Sequence, residues 1–237
     1  MSKRHDVATL ESMSQAVWYN RWTVEKFKRY LQGDILEVGC GIGSFTQTLT
    51  KYGNVFAIDI NKSHIERTSE LLNGKAKVGF GDIELGEYFF PQMSFDTVLC
   101  LNVLEHIRND SQALSNLARL LKPDGMLILL VPAHTFLYTD IDCAIGHVRR
   151  YDKKNLEYRL KEIGLEMVMN REINFLGAVG WWLAGKVLRN KAVSANKIAL
   201  FNIVGPLFLL MENVLEPPLG TSILAIARKR TTARKAG

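Results

Sequence analysis

Asp34-Ile-Leu-Glu-Val-Gly-Cys-Gly-Ile-Gly43 is the stretch that decides how this chain is read. Asp34 to Val38 is a short, mostly apolar run with the length of a buried strand, and three glycines at alternate positions follow it directly. Glycine has no Cβ, so a turn made of it lets the backbone come close to a ligand. Ser44 to Tyr52 then reads as a helix, giving strand, glycine turn, helix. The dinucleotide fingerprint G-x-G-x-x-G keeps a small residue at its last position, where a pyrophosphate rests on a helix N-terminus. Here the spacing is G-x-G-x-G, followed by Ser44 and Phe45, with Glu37 two residues ahead of Gly39. An acid there repels a pyrophosphate and helps to hold a cationic amine, so the ligand is expected to carry an amino group.

Four more apolar runs follow, at Val55 to Ile58, Lys77 to Phe80, Phe95 to Leu101 and Met126 to Val131. Helical patterns at Lys62 to Leu72 and Ser111 to Leu121 lie between them, the second closed by the turn signature Lys122-Pro-Asp-Gly125. Alternating strands and helices, with strands apolar almost throughout, predict a parallel sheet covered on both faces. Asp152 is expected to cap a helix through Ile163 that stops at Gly164. Glu166 to Ile173 and Thr221 to Ala227 supply a sixth and a seventh strand. The fold class is therefore α/β, a Rossmann-like seven-stranded, mostly parallel sheet with a helical insertion between strands six and seven.

Residues 1–32 form an N-terminal helical cap in this reading, 33–173 a cofactor-binding core, 174–220 the apolar insertion, and 221–237 the last strand and a basic tail, all within a single domain. The insertion is unusually apolar: residues 174–185 and 198–211 carry no charge. Neither stretch reaches the roughly twenty residues that span a bilayer.

The composition, 47% apolar and 23% charged at a mean hydropathy of zero, belongs to a globular chain and excludes disordered, collagenous and coiled-coil classes. Its 3 cysteines, Cys40, Cys100 and Cys143, lack the spacing of a disulfide framework or a metal site, so no metal is expected and a reducing cytoplasm is. Residues 1–30 contain no apolar core of a secretory signal. Arg228, Lys229, Arg230, Arg234 and Lys235 concentrate positive charge at the end of the chain, and without them 25 basic residues face 24 acidic ones. A nucleic-acid face is not indicated. The tail reads as a solvated end or as a contact for anionic lipid.

Twenty residues beyond Gly39, Asp59 closes the second run, where a carboxylate can accept hydrogen bonds from both hydroxyls of a ribose. Gly81-Asp82-Ile83 closes the third with a polar group and an apolar surface suited to an adenine, and Leu101-Asn-Val-Leu-Glu-His-Ile107 extends the fourth. With Leu121-Lys-Pro-Asp-Gly-Met126 ahead of the fifth strand, these elements, across about residues 33–132, resemble the class I S-adenosylmethionine-dependent methyltransferases. The resemblance implies S-adenosylmethionine as cofactor. It implies that Glu37, Gly39 and Gly41 line the methionine part, with Cys40 and Gly43 in the same turn. It also implies that Asp59 holds the ribose beside Ile60, that Asp82 and Ile83 border the adenine, and that Asn102 sits beside the sulfonium. Cys40 is read as a packing residue and not as a nucleophile.

Methyl transfer from a sulfonium is an in-line displacement, for which a chain needs mainly to align donor and acceptor and at times to remove a proton. Candidates for the second task lie in residues 132–151: His134, His147 and Tyr138, with Arg149 and Arg150 able either to clamp an anionic substrate or to pair with acids such as Asp142 and Asp152. Each histidine can equally be a hydrogen-bonded structural residue. Trp18-Tyr-Asn-Arg-Trp22 is either core or a lid that brings Tyr19 to the cofactor. The insertion, with Trp181, Trp182, Lys186, Arg189, Lys191 and Lys197, reads as a buried helical layer, a homodimer surface, or a greasy cap on the acceptor that touches the inner membrane surface. The expected activity is methyl transfer to an O or N atom of a small or lipid-like acceptor. Similarity of the cofactor half to ubiquinone- and menaquinone-pathway methyltransferases implies an isoprenoid one. The rivals are an NAD(P)-dependent oxidoreductase, disfavoured by Glu37 and Ser44, a non-catalytic cofactor- or RNA-binding module, and an RNA methyltransferase.

Overall fold

In the computed structural model, which describes residues 17–187, 205, 206, 209, 212 and 217–231, β1 (Asp34–Val38) is buried from Ile35 onward because strands flank it on both sides. β2 (Asn54–Asp59), β3 (Ala76–Asp82), β4 (Glu87–Tyr88), β5 (Phe95–Leu101), β6 (Leu121–Pro132), β7 (Leu165–Ile173) and β8 (Ser222–Lys229) complete the sheet. Its order is β4-β3-β2-β1-β5-β6-β8-β7. The 8-stranded sheet exceeds the expected seven by β4, two residues antiparallel to Gly81 and Asp82, too short to leave a period in the sequence.

β1, β2, β3, β5 and β6 are parallel. β8 is antiparallel to both β6 and β7, so β7 points the same way as the parallel set. Strand order reverses around β1, whose neighbours β2 and β5 lead in opposite directions, and open α/β sheets bind ligands at the carboxyl end of such a point. Pro132, Ser222 and Ile173 lie in one register line at that same edge. The insertion leaves after Ile173 and returns before Ser222, and is thereby rooted on the ligand side of the sheet.

Alternate residues of the central strands enter opposite cores. Ile35, Val55, Leu99, Leu101, Ile128 and Leu130 pack with Val24 and Phe27 of α1 (Val17–Phe27) and Leu49 of α2 (Thr46–Leu49). Leu36, Val38, Phe56, Ile58, Val98, Leu127 and Leu129 pack with Ala113, Leu114 and Leu117 of α4 (Asp110–Arg119) and with Leu156 and Leu160 of α6 (Lys153–Glu162). α3 (Lys62–Leu72) follows β2, α5 (Asp140–Ala144) lies between β6 and α6, and α7 (Phe175–Trp182) opens the insertion.

Five local readings change. The helix expected over Ser44 to Tyr52 is the single turn α2, and of the expected N-terminal helical segment 1–32 the described part is α1 plus a 3-10 turn at Lys28–Tyr30, with 1–16 outside the described residues. The Lys122-Pro-Asp-Gly125 turn lies inside β6, whose pairing with β5 breaks between Phe95 and Thr97 and resumes at Met126. Lys122 Nζ anchors that irregular stretch on Asp34 and Asp96, at 3.0 and 2.8 Å. Asp152 precedes α6 without a side-chain cap bond. The basic tail starts later than its charge suggested. Lys229 Nζ donates to the carbonyls of Ala118 and Leu121, which ties it to the fold, whereas Arg228 and Arg230 pair with Glu166 at the solvent-exposed surface. Residues 232–237 lie outside the described set.

Leu129 is fully buried between β5 and β8. Leu129→Ala should lower unfolding free energy by about 2–5 kcal/mol, transfer loss plus residual cavity, as read from urea denaturation midpoints.

Candidate functional site

The glycine turn after β1 is held down by its own backbone: Gly39 N and Cys40 N both donate to the Ile58 carbonyl, at 2.8 and 3.0 Å. Gly39 has φ +74°, and a Cβ on it would run into Val103 Cγ2, so the turn lies tightly against the segment that follows β5. At Gly41, φ +54°, nothing lies within 4 Å of an added Cβ, which leaves open space above the turn. Asp59, buried at the end of β2, accepts from Gly41 N through Oδ2 and from Asn61 N through Oδ1, both at 2.8 Å. Both oxygens retain a lone pair for a further donor.

Glu37 is the most telling side chain of this half. It is 3% exposed, and its Oε2 has no hydrogen-bond partner. Burial, reinforced by the nearby Asp59 charge, pushes its carboxyl up to about 8. A buried polar atom without a partner costs roughly 1–3 kcal/mol, and an ammonium donor arriving from a ligand would remove that penalty. The residues present therefore fit an amino-bearing nucleoside. Cys40 is buried, with its thiol pushed up by desolvation, in keeping with a packing role.

Asp82 Oδ1 accepts from Glu84 N and Leu85 N at 2.8 and 3.0 Å and so shapes the loop after β3, while the Ile83 side chain packs into the core. Ile60 stands 69% exposed beyond β2. Asn102, at φ +54°, ends β5 in a left-handed conformation that costs a non-glycine residue energy and is common at binding sites. Tyr19 stacks on Trp22, and its hydroxyl accepts from Asn174 Nδ2 at 3.3 Å, which places it beside the start of the insertion.

The loop after β6 gathers a second cluster around Asp142, which is fully buried. Its Oδ1 accepts from Arg150 Nε at 2.8 Å and faces His147 Nδ1 at 3.0 Å. Its Oδ2 accepts from Thr139 N at 2.9 Å and from Trp181 Nε1 at 3.2 Å, so the insertion is bonded to this loop. On the far side of the imidazole, His147 Nε2 lies 3.7 Å from Glu105 Oε1, and Glu105 Oε2 is a second buried oxygen without a partner. Burial pushes the Glu105 carboxyl up to about 8. Tyr138 donates to the His147 carbonyl at 2.7 Å, and its hydroxyl, held by Cys143 and partly buried, is pushed up to about 12, so it braces the loop as a reluctant acid. Among the described residues, one nitrogen or oxygen from each of Glu105, His106 and His147 lies within 4.8 Å of the others.

His134 lies apart from that cluster. At φ +62°, its Nε2 meets Glu172 Oε2 at 2.8 Å, the oxygen that also accepts from Gly220 N, so this histidine serves the neck of the insertion. Arg149 pairs with Asp110 at 2.6 Å, not with Asp152, and Arg150 with Asp142; both arginines are taken up by the fold instead of being poised for a substrate anion. Sequence reading passed over Glu172 and Glu212 and left Glu105 open, because each acquires its role from partners between about 38 and 42 positions away.

Residues 36–129 match the family model described as a methyltransferase domain, less than half of the chain. The ubiquinone biosynthesis O-methyltransferase of Rickettsia conorii is 37% identical over 98 residues, 40% of this chain and 34% of that protein. The mitochondrial enzyme of the same name from Schizosaccharomyces pombe is 31% identical over 110 residues, 44% of this chain and 39% of its own length. The chain thus spans well under half the length of these curated relatives. Among solved structures, a putative methyltransferase of Haloferax volcanii in complex with the Trm112 activator superposes with a TM-score of 0.65 at 14% identity, covering 96% of this chain and 98% of that one. The N-methyltransferase NodS of Bradyrhizobium japonicum, crystallised with S-adenosyl-L-homocysteine, gives 0.56 at 18% identity over 93% and 87%. Both establish a shared fold.

A carboxyl whose folded pKa is raised stabilises the protein, relative to its charged form, below the unfolded value near 4.5 and loses that contribution as pH climbs through about 8. Without cofactor, Glu37→Gln should therefore match the parent near pH 5 and exceed it in thermal midpoint near pH 8.5, the gap widening between those values. An equal gap at both pH values would mean that Glu37 is already ionised in the free protein.

Proposed function

We propose, from the premise that residues 36–129 are a class I S-adenosylmethionine-dependent methyltransferase domain, that the chain transfers a methyl group to an oxygen of a lipid-like small molecule. The observation that carries the cofactor half is the buried Glu37 oxygen without a partner at the root of the glycine turn. Bound S-adenosylmethionine supplies a methyl group on a positively charged sulfur, a donor that needs no further activation. The chain's own tasks are to bind, to align and to take up a proton. Glu37 would hold the amine, Asp59 the ribose hydroxyls, the loop at Asp82 the adenine, and Tyr19 would cover the cofactor from α1. Asn102 ends β5 where donor and acceptor would meet, and His147 would accept the acceptor's proton. The two named relatives are O-methyltransferases, which favours oxygen over nitrogen.

The lipid-like acceptor rests on the insertion. Phe175, Val179, Trp182, Leu183 and Val187 recur at helical spacing on α7 and the π-helical turn after it, and all are exposed. Residues 174–211 contain Lys186, Arg189, Lys191 and Lys197 and no acid. An apolar helical face with cationic neighbours suits the boundary of an anionic bilayer, and no helix among the described residues is long and apolar enough to cross one.

Calorimetric titration with S-adenosylhomocysteine and with NAD tests the premise: the first should bind and the second should not, and the reverse would assign the turn to a dinucleotide. Asp59→Ala should weaken S-adenosylhomocysteine binding by about 1–3 kcal/mol, the range for lost charge-assisted hydrogen bonds. For the acceptor, co-sedimentation with vesicles rich in phosphatidylglycerol should retain the chain at low salt and release it as salt rises. A chain that stays in the supernatant at low salt and sediments as a dimer in the ultracentrifuge would assign the exposed face to self-association.

A further inference from the structure

Asp142 receives four donors, and the His147 ring is a fifth polar group on its two oxygens. On Oδ2 are two N–H groups that cannot turn away, Thr139 N at 2.9 Å and Trp181 Nε1 at 3.2 Å, joined by the Thr139 hydroxyl at 3.3 Å. On Oδ1 are Arg150 Nε at 2.8 Å and the His147 ring at 3.0 Å. The Arg150 guanidinium also sits 5.0 Å over the Trp181 ring, which closes the cage from the insertion side. Neighbouring charges and these bonds hold the Asp142 carboxyl below the usual carboxylate range in spite of its burial. It is thus an acceptor on both oxygens, and whatever nitrogen of His147 faces it must carry the hydrogen.

We propose that Asp142 is a positioning residue for methyl transfer: it holds His147 in the tautomer with hydrogen on Nδ1, leaving Nε2 as a bare lone pair toward Glu105 and the end of β5. This rests on the reading of His147 as the proton acceptor for the substrate hydroxyl. Three further contacts fix the ring in that pose. The His147 amide donates to the Asp142 carbonyl at 2.9 Å, Tyr138 donates to the His147 carbonyl at 2.7 Å, and the His106 ring packs edge-on at 4.9 Å. On the other side, Glu105 presents Oε1 at 3.7 Å, beyond direct hydrogen-bond length, so it does not occupy the Nε2 lone pair. A substrate hydroxyl reaching Nε2 would give it the proton as its oxygen takes the methyl group from the sulfonium and the sulfur keeps the electron pair of the broken bond, with the positive charge formed on the ring balanced by Asp142, which itself takes up no proton. Because Trp181 belongs to the insertion, the segment proposed to receive the acceptor is bonded to the carboxylate that orients the base.

The donor count predicts what an amide at this position does. Asparagine offers one acceptor and one NH2 group, and the two N–H groups of Thr139 and Trp181 leave the acceptor only their side. The NH2 group then faces both His147 and Arg150 Nε; the guanidinium loses this acceptor and keeps its bond to the Ala133 carbonyl, whereas His147 can adapt by accepting at Nδ1, so the hydrogen moves to Nε2.

The test is long-range hydrogen–nitrogen correlation NMR on the full chain with labelled histidine, His147 being identified by its loss in His147→Gln. In the parent near neutral pH, His147 should be the Nδ1–H tautomer. In Asp142→Asn the ratio of the two tautomers should invert, by on the order of tenfold or more, with the resonances of His5 and His64 unmoved. A parent His147 that carries its hydrogen on Nε2 overturns the proposal without any variant, which covers the case of an Asp142→Asn chain that does not fold. A folded Asp142→Asn chain that keeps Nδ1–H overturns it as well. S-adenosylhomocysteine binding is read on the same samples. Its absence from the parent would sink the methyltransferase reading and leave the tautomer result standing, whereas normal binding with the wrong tautomer would sink only the role of Asp142.

Discussion

A carboxylate buried without a counter-charge is an unstable arrangement, and Glu37 imposes that constraint on the whole ligand edge of this sheet. Its Oε2 has no hydrogen-bond partner in the strand and turn around it, and the neighbouring side-chain donor, the Thr46 hydroxyl, is neutral. Neutralisation by a proton is the protein's own remedy, visible in a carboxyl pushed up to about 8. A ligand ammonium is the other remedy, and it is available only if the backbone lets the ligand in. The glycine turn meets that requirement: Gly41 opens space, while Gly39 allows the turn to lie against Val103 and so brings the turn into contact with the segment after β5. The chemistry proposed here follows from that adjacency.

The rest of the site is arranged by the direction of the strands. Five parallel strands and β7 all end at one edge, and β8 begins there. The insertion therefore rises from the ligand side, closed at its neck by Ala133 and Asn174 on Thr221 and by His134 and Gly220 on Glu172. Glu212 caps the start of α7 by accepting from Asn174 N and Phe175 N at 2.7 and 2.8 Å, and Lys26 and Trp22 of α1 reach the carbonyls of Glu212 and Leu209. The N-terminal helix and the insertion thus share bonds, although more than 180 residues separate them.

Much of this was legible in the sequence, and the reasons are specific. β1 and β5 were read to the residue because each is a short run dominated by apolar side chains, Ile35, Leu36 and Val38 in one and Val98 to Leu101 in the other, with a sharp end at Gly39 and at Asn102. The placement of Glu37 and Asp59 near the carboxyl ends of β1 and β2 was legible because a fixed strand-turn-helix geometry ties position along the chain to position at the edge. What the sequence did not disclose was whatever depends on distant partners. β4 is too short to have a period, and Lys122-Pro-Asp-Gly125 has turn chemistry that the Lys122 anchor on Asp34 and Asp96 absorbs into β6. His134 and His147 look alike in sequence, yet one meets Glu172 in the neck and the other stands between Asp142 and Glu105. Arg228 to Arg230 read as a loose cationic end, yet Lys229 lies at the end of β8 with its Nζ on two backbone carbonyls, and the arginines beside it pair with Glu166 at the surface.

The central claim is that Glu37 is neutral in the free protein and becomes charged when a cationic amine arrives. The most direct measurement is the number of protons released on S-adenosylhomocysteine binding near pH 7, obtained calorimetrically in buffers of different ionisation enthalpy. The account predicts release of close to one proton by the parent and close to none by Glu37→Gln. Binding of the parent with no proton released, or with the same release in both proteins, would contradict it.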